Sequence, residues 1–493
     1  MAEIEVLVPR NHTRSWQVLV VERLRRNGHD VRITPVHGLA PWGPEMDAVL
    51  SLERKLLRSG RSGLAERVVL ESSTQTAPAS GLILDLCGTS RTARQETGRP
   101  VMSLLFENSF SPEAALLAVA AGKLPTLHVV LNASEVVGTA RPMLDTPALV
   151  GSSLEDVLAR AITVVVATVE RFAAGTLARG VTLSLPPVDP TARLWTIGSY
   201  GTKAAPRLFR EVLRRTRFRQ AHWRVGYRFI DGPGVAETAR LGDGWTVLLD
   251  GGERFYADPF PIEWAGGSHI FLEDYPHDTR KAVISVASFD GSGQLGKPRP
   301  VLEEPYHLSY PQVFVREGTA WMLPESSSGD NLVLYRAERF PDRWVRHAVL
   351  MQGRQVSDAT LLEHGGRLWL FATDRDGYGS TSDTLVVFSA EQMEGPWRAH
   401  RDNPILIDRS AARPGGGFVS FGGHVILPVQ DGTLGYGGGL GLAKLERLDD
   451  EAVQLSAPVP IDPVGDWPYK QIHTLNRCGR LEVIDGIAAV RKR

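Results

Sequence analysis

The stretch Phe255–Phe260 reads FYADPF and opens a pattern that the chain then repeats. It leads into an apolar run that ends in an acid, Glu273, and the corresponding run of the next repeat ends in Glu325. The repeats begin about 50 residues apart, and this period, with short strands and glycine turns, is typical of β-propeller blades. Their lead residues are Asp258, Tyr310, Asp358 and Arg413. Because one blade cannot bury both faces of its sheet, the repeats must stack around an axis.

The two ends of the repeated region look like parts of a single blade. Two strand-like runs, His222–Phe229 and Trp245–Leu249, precede the first repeat, whereas the last repeat, Gln471–Asp485, is truncated. A ring in which strands from both ends share one sheet leaves no unpaired edge strand. The full repeats and this composite one predict a five-bladed β-propeller over residues 206–493, closed by its N- and C-terminal strands.

Residues 1–183 follow another pattern, in which strand-like and helix-like segments alternate. Residues 3–8 form an apolar strand, residues 14–27 carry apolar side chains at helical spacing, and Leu154–Gly175 is a long helix with one apolar stripe. Such alternation is typical of an open α/β sheet. A proline-rich segment follows and marks a linker. We therefore expect a multi-domain chain with an open, Rossmann-like α/β domain (1–183), a linker (184–205) and the propeller (206–493).

The composition restricts the partners and the compartment. The net charge of −1 argues against a nucleic-acid partner, which usually requires a basic face. Cys87 and Cys478 lie in different predicted domains and fit a reducing compartment. The first residues carry acids where a signal peptide needs bases, and the most apolar stretch, Ala161–Thr168, is too short to span a membrane. We expect a cytoplasmic protein with no membrane span.

The repeat also predicts where a functional site lies. The innermost strand of each propeller blade lines the central channel, so equivalent positions face one another across the axis. The residues that would meet at one mouth are Asp258, Tyr310, Asp358, Arg413 and His473, with Glu273 and Glu325 at the ends of second strands. A purely structural repeat would keep one residue type at these positions. Because the residue type at these positions changes while the strand pattern around them repeats, the pattern indicates a functional site.

Enzymes that cleave or transfer glycosyl groups commonly use a pair of carboxyl groups. One protonates the leaving oxygen, and the other acts as base or nucleophile. We assign Asp258 as base or nucleophile and Glu325 as acid. Asp358 would orient the sugar and tune the acid, and Arg413 would bind an anionic or hydroxyl-rich part of the substrate. The remaining polar lead and strand-end residues, Glu273, Tyr310 and His473, are candidates for substrate binding. No close His/Cys spacing supports a metal site.

The repeated region resembles the N-terminal domain of the plant glucosamine inositolphosphorylceramide transferases. The motifs that carry the resemblance are FYADPF, HLSYP (His307–Pro311), DATL (Asp358–Leu361), ARP (Ala412–Pro414) and Gln430-Asp431, and the match spans about residues 255–486. The resemblance implies a carbohydrate-related propeller and adds His307, Gln430 and Asp431 to the binding candidates. The plant proteins carry a separate glycosyltransferase domain, so the reaction stays open. Departures from related propeller patterns are Ala359 and Thr373.

Residues 1–180 resemble the N-terminal domain of formyltransferases in the order and length of their segments. That family uses an Asn and a His after a central strand, and this chain has Asn108 with no histidine near it. The missing histidine argues against formyl transfer and against a tetrahydrofolate cofactor, and no cofactor is predicted. Residues 1–180 also lack a glycine-rich loop of the kind that binds phosphate groups.

Three functions follow from these patterns. The first is an enzyme that cleaves or transfers a glycosyl group of a sugar or glycoconjugate. The second is a propeller that binds a glycan without catalysis. The third is an acyl or one-carbon transferase that uses the N-terminal domain.

Overall fold

The computed structural model describes residues 1–37, 42–57, 63–70, 81–88, 98–178, 180–183, 213, 216–219, 222–469 and 471–492. The predicted linker, 184–205, lies outside these residues. The chain divides into two compact units, Met1–Val212 with Tyr378–Ser380, and Leu213–Gly377 with Thr381–Arg493.

The first unit contains a six-stranded sheet with helices between its strands. In chain order its elements are β1 (Glu3–Pro9), α1 (Ser15–Arg26), β2 (Asp30–Val36), α2 (Pro44–Leu57), β3 (Leu82–Asp85), β4 (Val101–Phe106), α3 (Glu113–Ala120), β5 (Leu127–Leu131), β6 (Glu135–Ala140) and α4 (Val150–Ala174). The strand order is β2-β1-β3-β4-β5-β6. The pairs β1–β2, β1–β3 and β3–β4 are parallel, but β4–β5 and β5–β6 are antiparallel.

The expected alternation of strands and helices is therefore present in the first unit, with two elements that the sequence patterns did not predict, α2 and β6. The sheet is mixed rather than parallel throughout, so the expected likeness to Rossmann and formyltransferase domains is not shown. The long helix α4 buries the stripe that contains Val157, Ala161, Val165 and Val169. It ends at Gly175, whose φ of 71° allows the left-handed turn that stops the helix.

The second unit begins with β7 (His222–Phe229), a short helix α5 (Val235–Thr238), β8 (Arg240–Gly242) and β9 (Thr246–Val247). Blade 1 contains β10 (Arg254–Trp264), β11 (Gly267–Pro276), β12 (Val283–Ser288) and β13 (Arg299–Leu302). Blade 2 contains β14 (Ser309–Arg316), β15 (Thr319–Glu325), β16 (Asn331–Arg339) and β17 (Arg343–Gln352).

Blade 3 contains β18 (Val356–His364), β19 (Arg367–Asp374), β20 (Thr384–Ala390), β21 (Arg398–Ala399) and β22 (Leu406–Ile407). Blade 4 contains β23 (Arg413–Pro414), β24 (Val419–Phe421), β25 (His424–Gln430), β26 (Leu440–Leu448), β27 (Val453–Leu455) and β28 (Val459–Pro460). The next strand, β29 (Asp462–Gly465), pairs with β8. The chain then forms β30 (Ile472–Cys478) and β31 (Leu481–Ala488).

Blade 5 joins both ends of the unit in one sheet of order β30-β31-β7-β9. β31 pairs antiparallel with β7 over its whole length, from Leu481 opposite Phe229 to Ala488 opposite His222. The pairing continues beyond both strands, because the Arg219 N–H donates to the Val490 carbonyl (2.7 Å) and the Lys492 N–H donates to the Arg217 carbonyl (2.9 Å). The predicted five blades and their closure by a composite blade are confirmed, although β9 is shorter than Trp245–Leu249.

Apolar side chains fill the spaces between neighbouring blades. Phe260 and Phe271 of blade 1 pack with Met322 of blade 2, and comparable clusters lie between each following pair of blades. The last cluster joins Val483 of blade 5 to Ile270 of blade 1 and so completes the ring. Each blade thus buries both faces, which an isolated sheet cannot do. Among the described residues, no helix has the length and apolar character needed to cross a bilayer.

Candidate active site

Four residues that were predicted to meet at the channel mouth, Asp258, Tyr310, Asp358 and His473, lie in β-bulges at the inner strands. The register between first and second strand shifts at Ala257/Phe260, Ser309/Gln312, Ser357/Thr360 and Ile472/Leu475. Three lead residues adopt left-handed φ values: 49° for Asp258, 45° for Tyr310 and 50° for Asp358. Such values are rare for residues other than glycine and recur at functional sites. The bulges therefore give these side chains directions that a regular strand would not.

Carboxylates link the bulge of one blade to the bulge of the next. Asp485 Oδ2 in blade 5 accepts the N–H of Asp258 (2.9 Å), and Asp258 Oδ2 in turn accepts the N–H of Tyr310 (3.2 Å). Glu325 Oε2 in blade 2 accepts the N–H of Asp358 in blade 3 (3.1 Å). Each bulge frees a backbone N–H that a buried site must satisfy. The same acids that could do chemistry therefore also join the blades.

A cavity of about 750 Å³ opens at these bulges. The predicted site residues that line it are Asp258, Glu273, His307, Glu325 and Arg413. Its other lining residues are Arg219, Trp223, Phe255, Tyr275, His277, Arg280, Ser309, Thr381, Tyr436 and Lys492. The predicted acids thus meet at one cavity with aromatic and basic side chains around them.

Four predicted residues lie outside the lining; three of them contact residues that form it, and the fourth, Gln430, bonds Asp358. Asp358 accepts hydrogen bonds from Arg413 Nε (2.6 Å) and from Gln430 Nε2 (2.7 Å). The Tyr310 hydroxyl lies 2.9 Å from Thr360 Oγ1 and accepts the N–H of Gly416 (2.7 Å), so this fully buried side chain bridges blades. His473 Nε2 lies 3.4 Å from Asp258 Oδ1.

The structure places Asp431 elsewhere. Its carboxylate accepts the N–H of Thr433 (2.9 Å) and caps the short turn Gly432–Leu434. Asp431 does not line the cavity. A side chain at a turn start is more simply explained by this local hydrogen bond than by substrate binding.

Asp258 is held in an environment that favours its protonated form. Burial raises the pKa of this carboxyl well above its usual range, and the neighbouring carboxylates of Glu273, Asp485 and Asp358 raise it further, while Arg413 opposes them. Like charges and exclusion of water both disfavour a carboxylate. A protonated carboxyl in a cavity is a proton donor.

Glu325 lies among hydrogen-bond donors. Its Oε1 accepts hydrogen bonds from Ser327 Oγ (2.6 Å) and Ser357 Oγ (3.2 Å), and Arg413 Nη2 lies 3.8 Å from its Oε2. The expected roles, Asp258 as base or nucleophile and Glu325 as acid, stay predictions, although the raised pKa of Asp258 favours a proton donor at that position.

Asp358 and Arg413 form a buried pair between blades 3 and 4. Burial raises the pKa of Asp358 to about 6, with Arg413 lowering it and Glu325 raising it. Above that pH the carboxylate holds the guanidinium in place, together with Gln430. The expected role of Arg413 as a substrate ligand stays a prediction, but the structure supplies the partner that fixes its orientation.

The sequence patterns missed Asp485, which is fully buried on the second strand of blade 5. Its Oδ1 accepts His473 Nδ1 (2.7 Å) and the N–H of Thr474 (2.9 Å). The register of the repeat offers the signal that would have found it. Asp485 lies one residue before Gly486, which pairs with Ile472, just as Leu272 lies one residue before Glu273, which pairs with Ala257. Asp485 is thus an acid at a position where blade 1 has the apolar Leu272, and this departure from the repeat is the signal.

Asp485→Leu should therefore destabilise the protein by about 3 kcal/mol or more, because it leaves several buried N–H groups without an acceptor. Asp485→Asn keeps one acceptor oxygen and should cost less, about 1–2 kcal/mol. Unfolding of both variants in guanidinium chloride measures the difference. A leucine variant as stable as the parent protein would show that Asp485 does not hold the bulges.

Two aromatic residues of the cavity were also missed as site residues. The Trp223 ring stacks on His473 with centroids 3.9 Å apart, and Arg413 lies over the Tyr436 ring at 5.2 Å. Tyr436 stands in a glycine-rich run, and Trp223 lies on β7, before the first repeat. Neither position follows the repeat, so the period could not reveal them.

One cluster of this site has the spacing of a cation site. Asp258, His473 and Asp485 each offer one ligand atom, and these atoms lie within 4.8 Å of one another. All three are buried. The cluster could hold a small cation, and the expectation that no metal takes part stays a prediction.

The first unit has a smaller cavity of about 160 Å³. Its lining includes Pro9 at the end of β1, Cys87 after β3 and Phe106 at the end of β4. The strand order reverses between β1 and β3, and ligands of open α/β sheets bind at such points. Asn108 is not among the lining residues. One-carbon transfer by this unit stays an untested prediction.

Comparisons with known proteins agree with the resemblance seen in the motifs. Residues 250–466 match the family model described as "Glucosamine inositolphosphorylceramide transferase 1, N-terminal". Glucosamine inositolphosphorylceramide transferase 1 from Oryza sativa subsp. japonica is 35% identical over 202 residues, which are 40% of this chain and 27% of the rice protein. The protein of the same name from Arabidopsis thaliana is 31% identical over 202 residues, 40% of this chain and 26% of its own.

Among solved structures, an exo-β-1,3-galactanase from Clostridium thermocellum aligns with 52% of this chain and 62% of its own, at 12% identity and a TM-score of 0.35.

The chain spans about a quarter of the length of the plant relatives, 27% and 26%. Its propeller is thus similar to the N-terminal part of the plant glucosamine inositolphosphorylceramide transferases.

Proposed function

We propose that the propeller is a carbohydrate-active enzyme that cleaves or transfers a glycosyl group. One observation carries the proposal: one cavity holds two carboxyl groups, Asp258, whose environment favours its protonated form, and Glu325, which accepts hydrogen bonds from two serine hydroxyls. Glycoside chemistry uses two such carboxyl groups, one as proton donor and the other as base or nucleophile. The similarity to named plant glycosyl transferases supports the same class of substrate.

The chemistry needs one proton donor and one acceptor. Asp258 donates its proton to the glycosidic oxygen as the bond to the anomeric carbon breaks, and the leaving group departs as an alcohol. Glu325 either attacks the anomeric carbon or removes a proton from the incoming water or acceptor hydroxyl. When Glu325 attacks, the oxygen of water or of the acceptor then displaces it from the anomeric carbon, and the Asp258 carboxylate takes the proton of that hydroxyl. When Glu325 acts as base, it takes that proton itself, and exchange with solvent returns a proton to Asp258.

The other cavity residues bind and orient the sugar. His307 Nε2 lies 3.3 Å from Glu273 Oε1, and such a pair can donate to and accept from sugar hydroxyls. Phe255 and Tyr275 stack with ring centroids 4.7 Å apart in the cavity wall, and aromatic faces suit the apolar face of a sugar. Asp358 and Gln430 position Arg413 and are not in contact with the cavity themselves.

Glu325→Gln should reduce turnover of a panel of aryl glycosides and activated glycosyl donors by about 10²–10⁴-fold. The control is Glu363→Gln, which changes an exposed carboxylate outside the cavity that lies 3.6 Å from Arg316. Product release measured by absorbance and by chromatography covers hydrolysis and transfer. Wild-type turnover that survives Glu325→Gln unchanged would refute the assignment.

The pH dependence should be bell-shaped. As pH rises through the raised pKa of Asp258, the acid loses its proton and the rate falls. As pH falls below about 6, Asp358 takes up a proton and weakens its hold on Arg413, so the rate falls again. The profile of kcat/KM against pH measures both limbs. A rate that keeps rising into alkaline solution would contradict a protonated Asp258 as the donor.

A second candidate is a propeller that binds a glycan without catalysis. The observation in its favour is that the family match describes the N-terminal part of a longer transferase. Binding to a glycan array with no turnover of any donor by the wild-type chain would select this candidate. Turnover that depends on Asp258 and Glu325 would exclude it.

A further inference from the structure

The cavity of the first unit, about 160 Å³ in volume, plays no part in the function proposed for the propeller. It lies at the carboxyl ends of β1, β3 and β4, and much of its wall is apolar. The apolar residues that line it are Pro9, Trp16, Leu86, Leu104, Phe106, Phe110 and Pro112. An apolar cavity of about 150 Å³ engineered into another protein binds benzene. The volume and the lining therefore suit an apolar group of about the size of a benzene ring.

A single arginine, Arg14, stands among the described residues that line this cavity. Its Nη1 donates to the Ala65 carbonyl (3.1 Å), and its guanidinium lies over the Trp42 ring, 4.5 Å from the centroid. Its Nε is buried and, among the described residues, has no hydrogen-bond acceptor. A buried donor of a charged group without an acceptor is costly. The guanidinium therefore calls for a ligand oxygen.

The charge of Arg14 is not neutralised from within the cavity, because no carboxylate occurs among the described lining residues. Burial lowers the pKa of Arg14, whereas the charge of Asp47 raises it. The Asp47 carboxylate is itself engaged elsewhere, since its Oδ1 accepts the N–H of the Trp42 indole (2.5 Å). A negative group of a ligand in the cavity would favour the charged guanidinium as Asp47 does.

Two other lining residues favour binding in this cavity over covalent chemistry. Both ends of the Gln17 amide are engaged, because its Oε1 accepts the N–H of Arg14 (2.9 Å) and its Nε2 donates to the Leu86 carbonyl (3.0 Å). Burial and the charge of Asp85 raise the pKa of the Cys87 thiol, so the sulfur stays protonated at neutral pH. A protonated thiol is a poor nucleophile.

We propose that this cavity binds a small monocarboxylate whose apolar body is about as large as a benzene ring. The carboxylate accepts hydrogen bonds from Arg14, and the body packs against Trp16, Leu104 and Phe106. Hydrogen bonds between a guanidinium and a carboxylate are charge-assisted and about twice as strong as neutral ones. The site lies within the first unit, so it does not depend on the function proposed for the propeller.

Titration of the full chain with benzoate in a calorimeter tests the site. Benzamide keeps the ring without the charge, and acetate keeps the charge without the ring, so each should bind about tenfold more weakly than benzoate, or worse. Arg14→Gln should abolish the preference for benzoate over benzamide. The matched control is Arg10→Gln, because Arg10 is exposed directly after β1 and does not line the cavity.

The two cysteines locate the bound ligand in the unaltered chain. Cys87 lines the cavity, Cys478 ends β30 in the second unit, and both are half-buried. Benzoate should slow the reaction of Cys87 with a methanethiosulfonate reagent and leave the reaction of Cys478 unchanged. Mass spectrometry of the two cysteine peptides measures both rates. This measurement does not depend on whether Arg14→Gln folds.

Protection of Cys87 alone, with a preference for benzoate that Arg14→Gln removes and Arg10→Gln keeps, supports the site. If Arg14→Gln binds neither ligand, the protection of Cys87 decides. Absence of benzoate binding overturns the proposal, as does a Cys87 that reacts equally fast with and without benzoate. Benzamide or acetate that binds the parent protein as tightly as benzoate also overturns it, because the ligand would then not need both parts.

Discussion

Replacement of Asp258 by asparagine should lower kcat by about 10²–10⁴-fold and, at the same time, make the propeller more stable at alkaline pH. The loss of activity follows from the loss of the proton donor. The gain in stability follows from the environment of Asp258, because an ionised carboxylate there is buried among other acids. Asparagine avoids that charge.

The stability gain has a definite pH dependence. The pKa of Asp258 is raised in the folded protein, so its contribution to stability is present at low pH and is lost as pH rises through the folded-state pKa. A folded-state pKa that lies one pH unit above the unfolded-state pKa is worth about 1.4 kcal/mol, and about 1 kcal/mol moves the melting temperature of a domain of this size by about 2–4 °C. The asparagine variant should melt close to the parent at about pH 4, near the ordinary pKa of an aspartate, and several degrees above it at about pH 9.

The matched control for this experiment is Asp330→Asn. Asp330 also has a left-handed φ (52°) but is exposed. Asp330→Asn is therefore the same substitution at the same kind of backbone conformation, but it removes no buried charge. Scanning calorimetry at the acidic and the alkaline pH gives the comparison. An Asp258→Asn protein that melts below the parent in alkaline solution, or that keeps full activity, would contradict the protonated role of Asp258.

Removal of residues 471–493 should abolish cooperative unfolding of the propeller and any activity with it. The truncation deletes β30 and β31, which leaves β7 without its main partner and exposes the apolar clusters on both sides of blade 5. Leu475, Leu481, Val483 and Ile484 are all almost fully buried. At about 1.5–3 kcal/mol for each buried side chain, their loss is comparable with the whole stability of a domain.

A shorter truncation serves as the control. Removal of residues 489–493 keeps both strands of blade 5 and should melt cooperatively within a few degrees of the parent protein. A soluble 471–493 truncation with the melting temperature of the full chain would show that these strands do not close the ring.

The blade count and the closure could be predicted because they depend on a period, and a period survives changes of residue type. The acids that meet at the cavity could be predicted for the same reason, since Glu273 and Glu325 pair with equivalent residues, Ala257 and Ser309. Other residues that line the cavity, such as Trp223 and Lys492, could not be predicted, because they come from segments outside the repeat.

The environments of the acids could not be predicted either. A residue's protonation depends on which neighbours the fold brings to it, and Asp485 reaches Asp258 from another blade across a long stretch of sequence. The first unit shows a related failure. The strand and helix pattern predicts alternation, but it does not determine that β4–β5 and β5–β6 run antiparallel. The direction of a strand depends on its connection and not on its own residues.

The left-handed bulge at Asp258 has a consequence for how such propellers can evolve. Asparagine tolerates this backbone conformation nearly as well as aspartate, whereas β-branched residues do not. Its amide can also accept the N–H of Tyr310 through the oxygen and face His473 with the nitrogen, at the positions that the carboxylate occupies now. A descendant with asparagine would keep the shape and the other side chains of the cavity and lose only the proton. An enzyme and a lectin of this architecture are therefore one conservative substitution apart.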